Sequence, residues 1–220
     1  MPMPEPFSDA STQPAVRGYL HRPENSNKDG LVLSHGAGSN AQAPLLIALA
    51  EVFSEAGFTV LRCDLPYRQL RPYGPPGPGD AAPDREGLKN AIAALRKQAA
   101  GRLFLGGHSY GGRQSTMLCA EEPNLVDGLL LLSYPLHPPR KPEQLRTQHL
   151  PKLRTPSLFV EGTRDPFGST EEMEAAIQLI TARTHLLKIE GAGHDLGFKG
   201  KMGGTELGNV VVTAFLGFFK

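Results

Sequence analysis

The sequence contains no tryptophan, only two cysteines in 220 residues, and a formal net charge of +1. Each scarcity excludes a class of function. Cys63 and Cys119 have neither CxxC nor zinc-type spacing, so no dithiol redox motif or metal knuckle is written into the chain. A reduced, cytoplasmic setting is expected for them. Near-neutral charge gives no general attraction to nucleic acid or to an anionic membrane. No apolar run is long enough to span a bilayer. The opening "MPMPEPFSDASTQP" lacks a basic region followed by an apolar core, so neither a signal peptide nor membrane insertion is expected. The seven histidines form no HExxH or other metal pattern, and no G-x-x-x-x-G-K-[ST] phosphate loop occurs. No metal and no cofactor are therefore expected.

Glycine (25) and proline (20) are plentiful, which predicts many tight turns between regular elements. The length suits one large domain with a substantial core. Residues 1–14 read as a flexible, proline-rich tail and 15–220 as a single domain. No internal repeat is visible, and the oligomeric state is not legible.

Along the chain, strands and helices alternate. "VRGYLHR" reads as an edge strand. "LVLSHG", "FTVLRCD", "RLFLGG", "VDGLLLLSYP", "PSLFVEG" and "THLLKIEGAG" read as central strands. Between them lie amphipathic segments ended by glycine or opened by polar residues, such as "APLLIALAEVFSEAG", a helix opened by Asp84, and a helix capped by Ser169 or Thr170. "LPYRQLRPYGPPGPGDAAP" is too rich in proline and glycine for regular structure. The pattern predicts an α/β fold: a mostly parallel, doubly wound sheet with helices on both faces. In such sheets the reactive loops lie at the carboxyl ends of the strands.

Three candidates stand at those ends. Gly107-His108-Ser109-Tyr110-Gly111 fits G-x-S-x-G, in which a serine sits on a sharp turn between a strand and a helix. The five-residue pattern alone is weak, but the strand before it and the helix after it are what the motif requires. Asp165 follows "LFVEG" by two residues. By itself it is equally a turn aspartate before proline. His194 lies in a glycine-rich turn after another strand. The order Ser109, Asp165, His194 carries more weight than any one member. A serine hydroxyl needs a base to take its proton. His194 is the candidate base, and Asp165 the group that fixes its tautomer. Asp195 is a competing acid, too close in sequence to reach the ring well.

"SHGAGSN" follows the first central strand. Its glycines free backbone N–H groups to face a developing negative charge. The N–H of Ala37, together with that of Tyr110, is the candidate oxyanion hole. His35 reads as a ring bracing this loop, and His108 as a core or supporting residue. Arg68, Arg71, Lys199 and Lys201 could meet an anionic substrate group, but a solvated surface is the favoured reading.

On these motifs the chain resembles the α/β-hydrolases, from about Gly30 to the C-terminus. More narrowly, "LSHGAGSN", "LLSYPLHPPRKPEQLRTQHLPKLRTPSLFVEGTRD" and "GAGHDLGFKGK" are similar to the branch of testis-expressed and non-specific-lethal-complex-subunit proteins. That branch is related to dienelactone hydrolases, which use cysteine where this chain has Ser109. The resemblance implies a doubly wound sheet and a Ser109–Asp165–His194 triad, but supplies no substrate; a small-molecule acyl substrate is the expectation from the site chemistry. A serine hydrolase cleaving a small ester or thioester through an acyl-enzyme is expected. The competing expectation is a non-catalytic interaction module that retains the fold. The link from Ser133 to Thr155 is too short for a large lid, which predicts an open cleft rimmed by Tyr134, the Leu65–Pro78 loop and Phe167.

Overall fold

A computed structural model describes residues 3–198 and 203–220. Eight strands form one sheet, in the order β1-β2-β4-β3-β5-β6-β7-β8. They are β1 (Glu5–Asp9), β2 (Val16–His21), β3 (Gly30–Ser34), β4 (Thr59–Cys63), β5 (Leu103–His108), β6 (Gly128–Leu132), β7 (Ser157–Gly162) and β8 (Thr184–Ile189). The first two pair antiparallel, and β3 to β8 are parallel.

The parallel strands are apolar throughout because both faces are covered. Side chains alternate between faces. Val32, Leu129, Leu131 and Phe159 join one core. Leu31, Leu33, Leu130, Leu132, Leu158 and Val160 join the other. Helices α1 (Pro44–Glu55) and α6 (Gly204–Phe218) close the second core through Leu46, Phe53, Leu207 and Phe215. Helices α3 (Ala81–Arg96), α4 (Tyr110–Glu121) and α5 (Thr170–Ile177) close the first, which follows α2 (Pro66–Leu70) in the chain. The expected mostly parallel, doubly wound sheet with helices on both faces is present, and no helix of the described residues is long and apolar enough to cross a membrane.

Several local expectations are corrected. Residues 5–9 are not a loose tail. They form an edge strand in register with β2, from Glu5 opposite Leu20 to Asp9 opposite Val16, and Phe7 packs on the core. This moves Val16–His21 from the edge to an interior place, between β1 and β4. One apolar residue among prolines carried too little periodicity to show this. The proline-rich stretch after β4 holds the short helix α2, with Pro66 in its first turn. Helix α3 begins at Ala81, with Asp80 at its N-cap, and not at Asp84. Asp84 is fully buried and serves the site instead. Ser169 caps α5 through a capping box with Glu172, as expected. The link from 133 to 155 contains one 3-10 turn (Leu150–Lys152) and no lid.

The chain winds outward from β3 to β4, then crosses back to β5 on the other side of β3. The loops leaving β3 and β5 therefore diverge at the carboxyl edge, where such sheets form a crevice.

Candidate active site

Ser109 occupies the single residue between β5 and α4. Its backbone has φ 52° and ψ −113°, a region that L-residues rarely enter. Its N–H donates to the Leu132 carbonyl at 2.8 Å, which anchors the turn to β6. The turn is tight because backbone approaches backbone. A Cβ on Gly107 would lie 2.5 Å from the Gly111 carbonyl carbon, the Gly112 nitrogen and Ser34 Oγ. A Cβ on Gly111 would lie 2.5 Å from Ser34 Oγ and 2.7 Å from the His35 carbonyl oxygen. Main chain cannot move aside as a side chain can. Gly107→Ala is therefore expected to destabilise the fold by about 3 kcal/mol, read from urea denaturation.

The other two candidates arrive from neighbouring loops. Asp165 follows β7, and its side chain is fully buried. Its Oδ1 accepts the Phe167 N–H at 2.8 Å. His194 follows β8. Its Nδ1 lies 2.7 Å from Asp165 Oδ2, and its Nε2 lies 2.8 Å from Ser109 Oγ. Asp195 instead accepts the N–H of Gly197 in its own turn, and the ring nitrogen is served by Asp165. The Phe167 ring lies against His194 with centroids 4.2 Å apart, and the His108 ring lies at 5.1 Å.

His108 supports this loop directly. Its Nε2–H donates to the His194 carbonyl at 2.8 Å. Burial, with the neighbouring His194 charge, lowers its pKa to about 4 despite that hydrogen bond, so it is neutral and a donor in that tautomer. Two histidines thus lie side by side in different roles. Only the second has a carboxylate behind it.

The loop after β3 is held from behind. His35 is fully buried; its Nδ1–H donates to the Gly36 carbonyl at 2.9 Å, and its Nε2 accepts the Leu65 N–H at 3.1 Å. The Gly36 carbonyl also accepts from the Ser39 N–H and the Tyr67 hydroxyl. In a trans peptide the next N–H points opposite the carbonyl. The Ala37 N–H is therefore turned away from these donors. The Ala37 carbonyl accepts from Tyr67 Oη at 2.8 Å and from Arg68 Nη2 at 3.2 Å. Tyr110 is the first residue of α4, so its N–H has no partner within the helix. Its hydroxyl donates to Asp84 Oδ2, while Asp84 Oδ1 accepts the Tyr67 N–H. Asp84 thereby ties the start of α4 to the segment bracing the β3 loop.

Arg68 is not a solvated surface residue. It is buried, and its guanidinium donates to the carbonyls of Ala37, Ser39, Arg71 and Gly74. Arg71 pairs with Asp80 at the surface. Lys199 and Lys201 lie outside the described residues. Tyr67→Phe removes one hydroxyl from this brace and is expected to lower kcat/KM for an ester about fivefold, with little change in melting temperature.

Gly36, Ala37, Gly38, Ser39, His108, Ser109, Phe167 and His194 line an open cleft of about 320 Å³. Phe167 is on its wall, as expected. Tyr134 is not: it is fully buried, with its hydroxyl toward Thr116 and His149. Its phenol finds those partners inside the fold, which nothing in the local sequence announces. From the Leu65–Pro78 loop, Tyr67 and Arg68 act behind the wall. Among the described residues no group of three or more His, Cys, Asp or Glu is placed to hold a metal ion. Both cysteines are free, and burial, the largest influence, pushes each thiol up to about 12.

A strained serine between a parallel strand and a helix, with acid and histidine loops from later strands, defines an α/β hydrolase architecture. The chain belongs to the alpha/beta hydrolase domain family, whose model matches residues 27–215. It is similar in structure to an alpha-beta serine hydrolase homologue from Coxiella burnetii (TM-score 0.75, 20% identity, 96% of each chain covered). It is also similar to a dienelactone hydrolase from Anabaena variabilis (TM-score 0.75, 21% identity, 99% of each chain). A third similar structure is a serine hydrolase without lid from Xanthomonas campestris (TM-score 0.73, 13% identity, 98% of this chain and 95% of that one). At these identities the likeness is one of fold.

Proposed function

We propose that the protein is a serine hydrolase that cleaves a small ester or thioester through an acyl-enzyme on Ser109. The observation that carries this reading is the unbroken series Ser109 Oγ, His194 Nε2, His194 Nδ1, Asp165 Oδ2 at hydrogen-bond distances, opening on a cleft. His194 takes the hydroxyl proton as Ser109 Oγ attacks the carbonyl carbon. The oxyanion is met by the N–H groups of Ala37 and Tyr110. His194 then gives the proton to the leaving alcohol or thiol. It next takes a proton from water, which attacks the acyl carbon, and returns that proton to Ser109 Oγ as the ester bond to Ser109 breaks and the acid is freed. Asp165 stays ionised throughout and stabilises the charged imidazole.

The cleft wall presents glycines, Phe167 and a neutral His108, and among the described residues no lid covers it. These features favour small, uncharged acyl groups. Similar structures named as a serine hydrolase homologue and a dienelactone hydrolase fit the same class, and the narrower resemblance to the testis-expressed branch is compatible with it.

The test is covalent. A fluorophosphonate probe is expected to add once per chain, with the mass increment on the peptide containing Ser109, and p-nitrophenyl acetate is expected to turn over. A folded protein that takes up no probe and hydrolyses no ester panel would instead favour the interaction module.

A further inference from the structure

Behind Asp165 lies a second carboxyl that no step above uses. Glu161 is on β7 and is fully buried. Its Oε2 accepts the Tyr134 N–H at 2.9 Å. Its Oε1 is buried with no hydrogen-bond donor facing it among the described residues. Asp165 is buried beside Glu161, four residues on and just past the end of β7, so that the two carboxyls are neighbours close enough to share a proton. Two carboxylates cannot both ionise in such contact away from water, so one keeps a proton.

The partners decide which one. Asp165 receives the Phe167 N–H on Oδ1 and the His194 Nδ1–H on Oδ2. Among the described residues, Glu161 receives one backbone N–H and no other donor. We infer that Glu161 is a neutral carboxylic acid whose Oε1–H donates to Asp165, making it a positioning residue that holds the Asp165 carboxylate against His194. Its catalytic consequence rests on the hydrolase reading; its protonation does not. No proton leaves Glu161 during the reaction. By satisfying a third lone pair of Asp165, it keeps that carboxylate ionised and aimed while His194 becomes positively charged.

The electrostatics agree. Burial, then the Asp165 charge and the shared hydrogen bond, push the Glu161 carboxyl up to about 10. Burial also opposes ionisation of Asp165. The hydrogen bond and charge of His194, the Phe167 amide and the Glu161 contact outweigh it and hold Asp165 below the usual range. The titratable groups facing Glu161 are Asp165 and, beyond it, His194. Tyr134 offers only its backbone N–H, and no Lys or Arg among the described residues offsets a charge at Glu161.

The experiment compares wild type with Glu161→Gln and Glu161→Met. Gln can still accept from Tyr134 and donate to Asp165 without titrating; Met can do neither. The first readout is stability against pH. Unfolded Glu161 loses its proton near 4.5, whereas the folded residue keeps it to about 10. Between those values the folded state binds the extra proton, so wild-type stability falls as pH rises, relative to Gln. The unfolding equilibrium constants of wild type and Gln are expected to diverge about tenfold per pH unit over this window.

The second readout is kinetic. Gln is expected to keep kcat within about threefold, and Met to lose about tenfold or more with KM little changed, because Glu161 lies behind the cleft. A difference in stability that does not vary with pH overturns the proposal. So do equal kcat values for Gln and Met when both melt cooperatively. If Ser109 proves unreactive in the wild type, the hydrolase reading fails, while the pH-dependent divergence still reports the shared proton.

Discussion

Ser109→Ala is expected to abolish fluorophosphonate labelling and to lower kcat for p-nitrophenyl acetate about 10⁶-fold. The size follows from the chemistry. On the proposed mechanism, alanine leaves the Ala37 and Tyr110 N–H groups in place but removes the oxygen that would form the acyl-enzyme. What remains is binding and oxyanion stabilisation of direct attack by water, which is worth about 10³–10⁴ over solution. The fold should tolerate the change, since the hydroxyl's bond is to His194 and the turn is held by the Ser109 N–H to Leu132. His194→Ala should cost about as much, and the double variant little more, because the pair acts as a unit. Single-turnover kinetics on the three proteins check this. Additive losses would show that the two side chains do not share one step.

Asp165→Asn is expected to cost about 10⁴-fold in kcat while leaving the cleft intact. Asp165 accepts on both oxygens, from Phe167 and from His194. An amide keeps one acceptor and presents an NH₂ group to the other partner. With its oxygen held by the Phe167 N–H, the NH₂ faces His194 Nδ1 and favours the tautomer with the proton on Nε2. That tautomer cannot take the Ser109 proton. The loss should therefore fall on kcat, with KM near the wild-type value. Asp195→Asn is the control: Asp195 accepts in its own turn, and near-normal turnover is expected.

Much of this site was legible in the sequence. The G-x-S-x-G pattern sat between an apolar run and a helical segment, and Asp165 and His194 each followed an apolar run by a few residues. Short apolar strands with glycine at their ends produce such a signal because both faces of a parallel sheet are covered. His35 was likewise legible as a brace. The supporting residues were not. Arg68 looked like a surface cation beside Arg71, yet it is buried and donates to carbonyls of the loop it braces. Tyr134 looked like a rim residue, yet its ring is inside the core. Asp84 looked like a helix cap, yet it joins Tyr67 to Tyr110. Glu161 lay unremarked in an apolar strand. Each of these depends on partners far away in the chain, and a local pattern records only spacing.

The N-terminal strand shows the same boundary. Residues 5–9 have no strand periodicity of their own, and their pairing is decided by the open edge of β2 and by a place for Phe7 on the core. By itself, the sequence determined the alternation of strands and helices, and with it the edge of the sheet where Ser109, Asp165 and His194 would lie. Hydrophobic period and turn chemistry are local properties. Only the tertiary structure decided which histidine faces the serine, which carboxyl faces that histidine, and which second carboxyl lies behind the first. Those choices depend on distances of 3 Å between segments that only the folded sheet brings together.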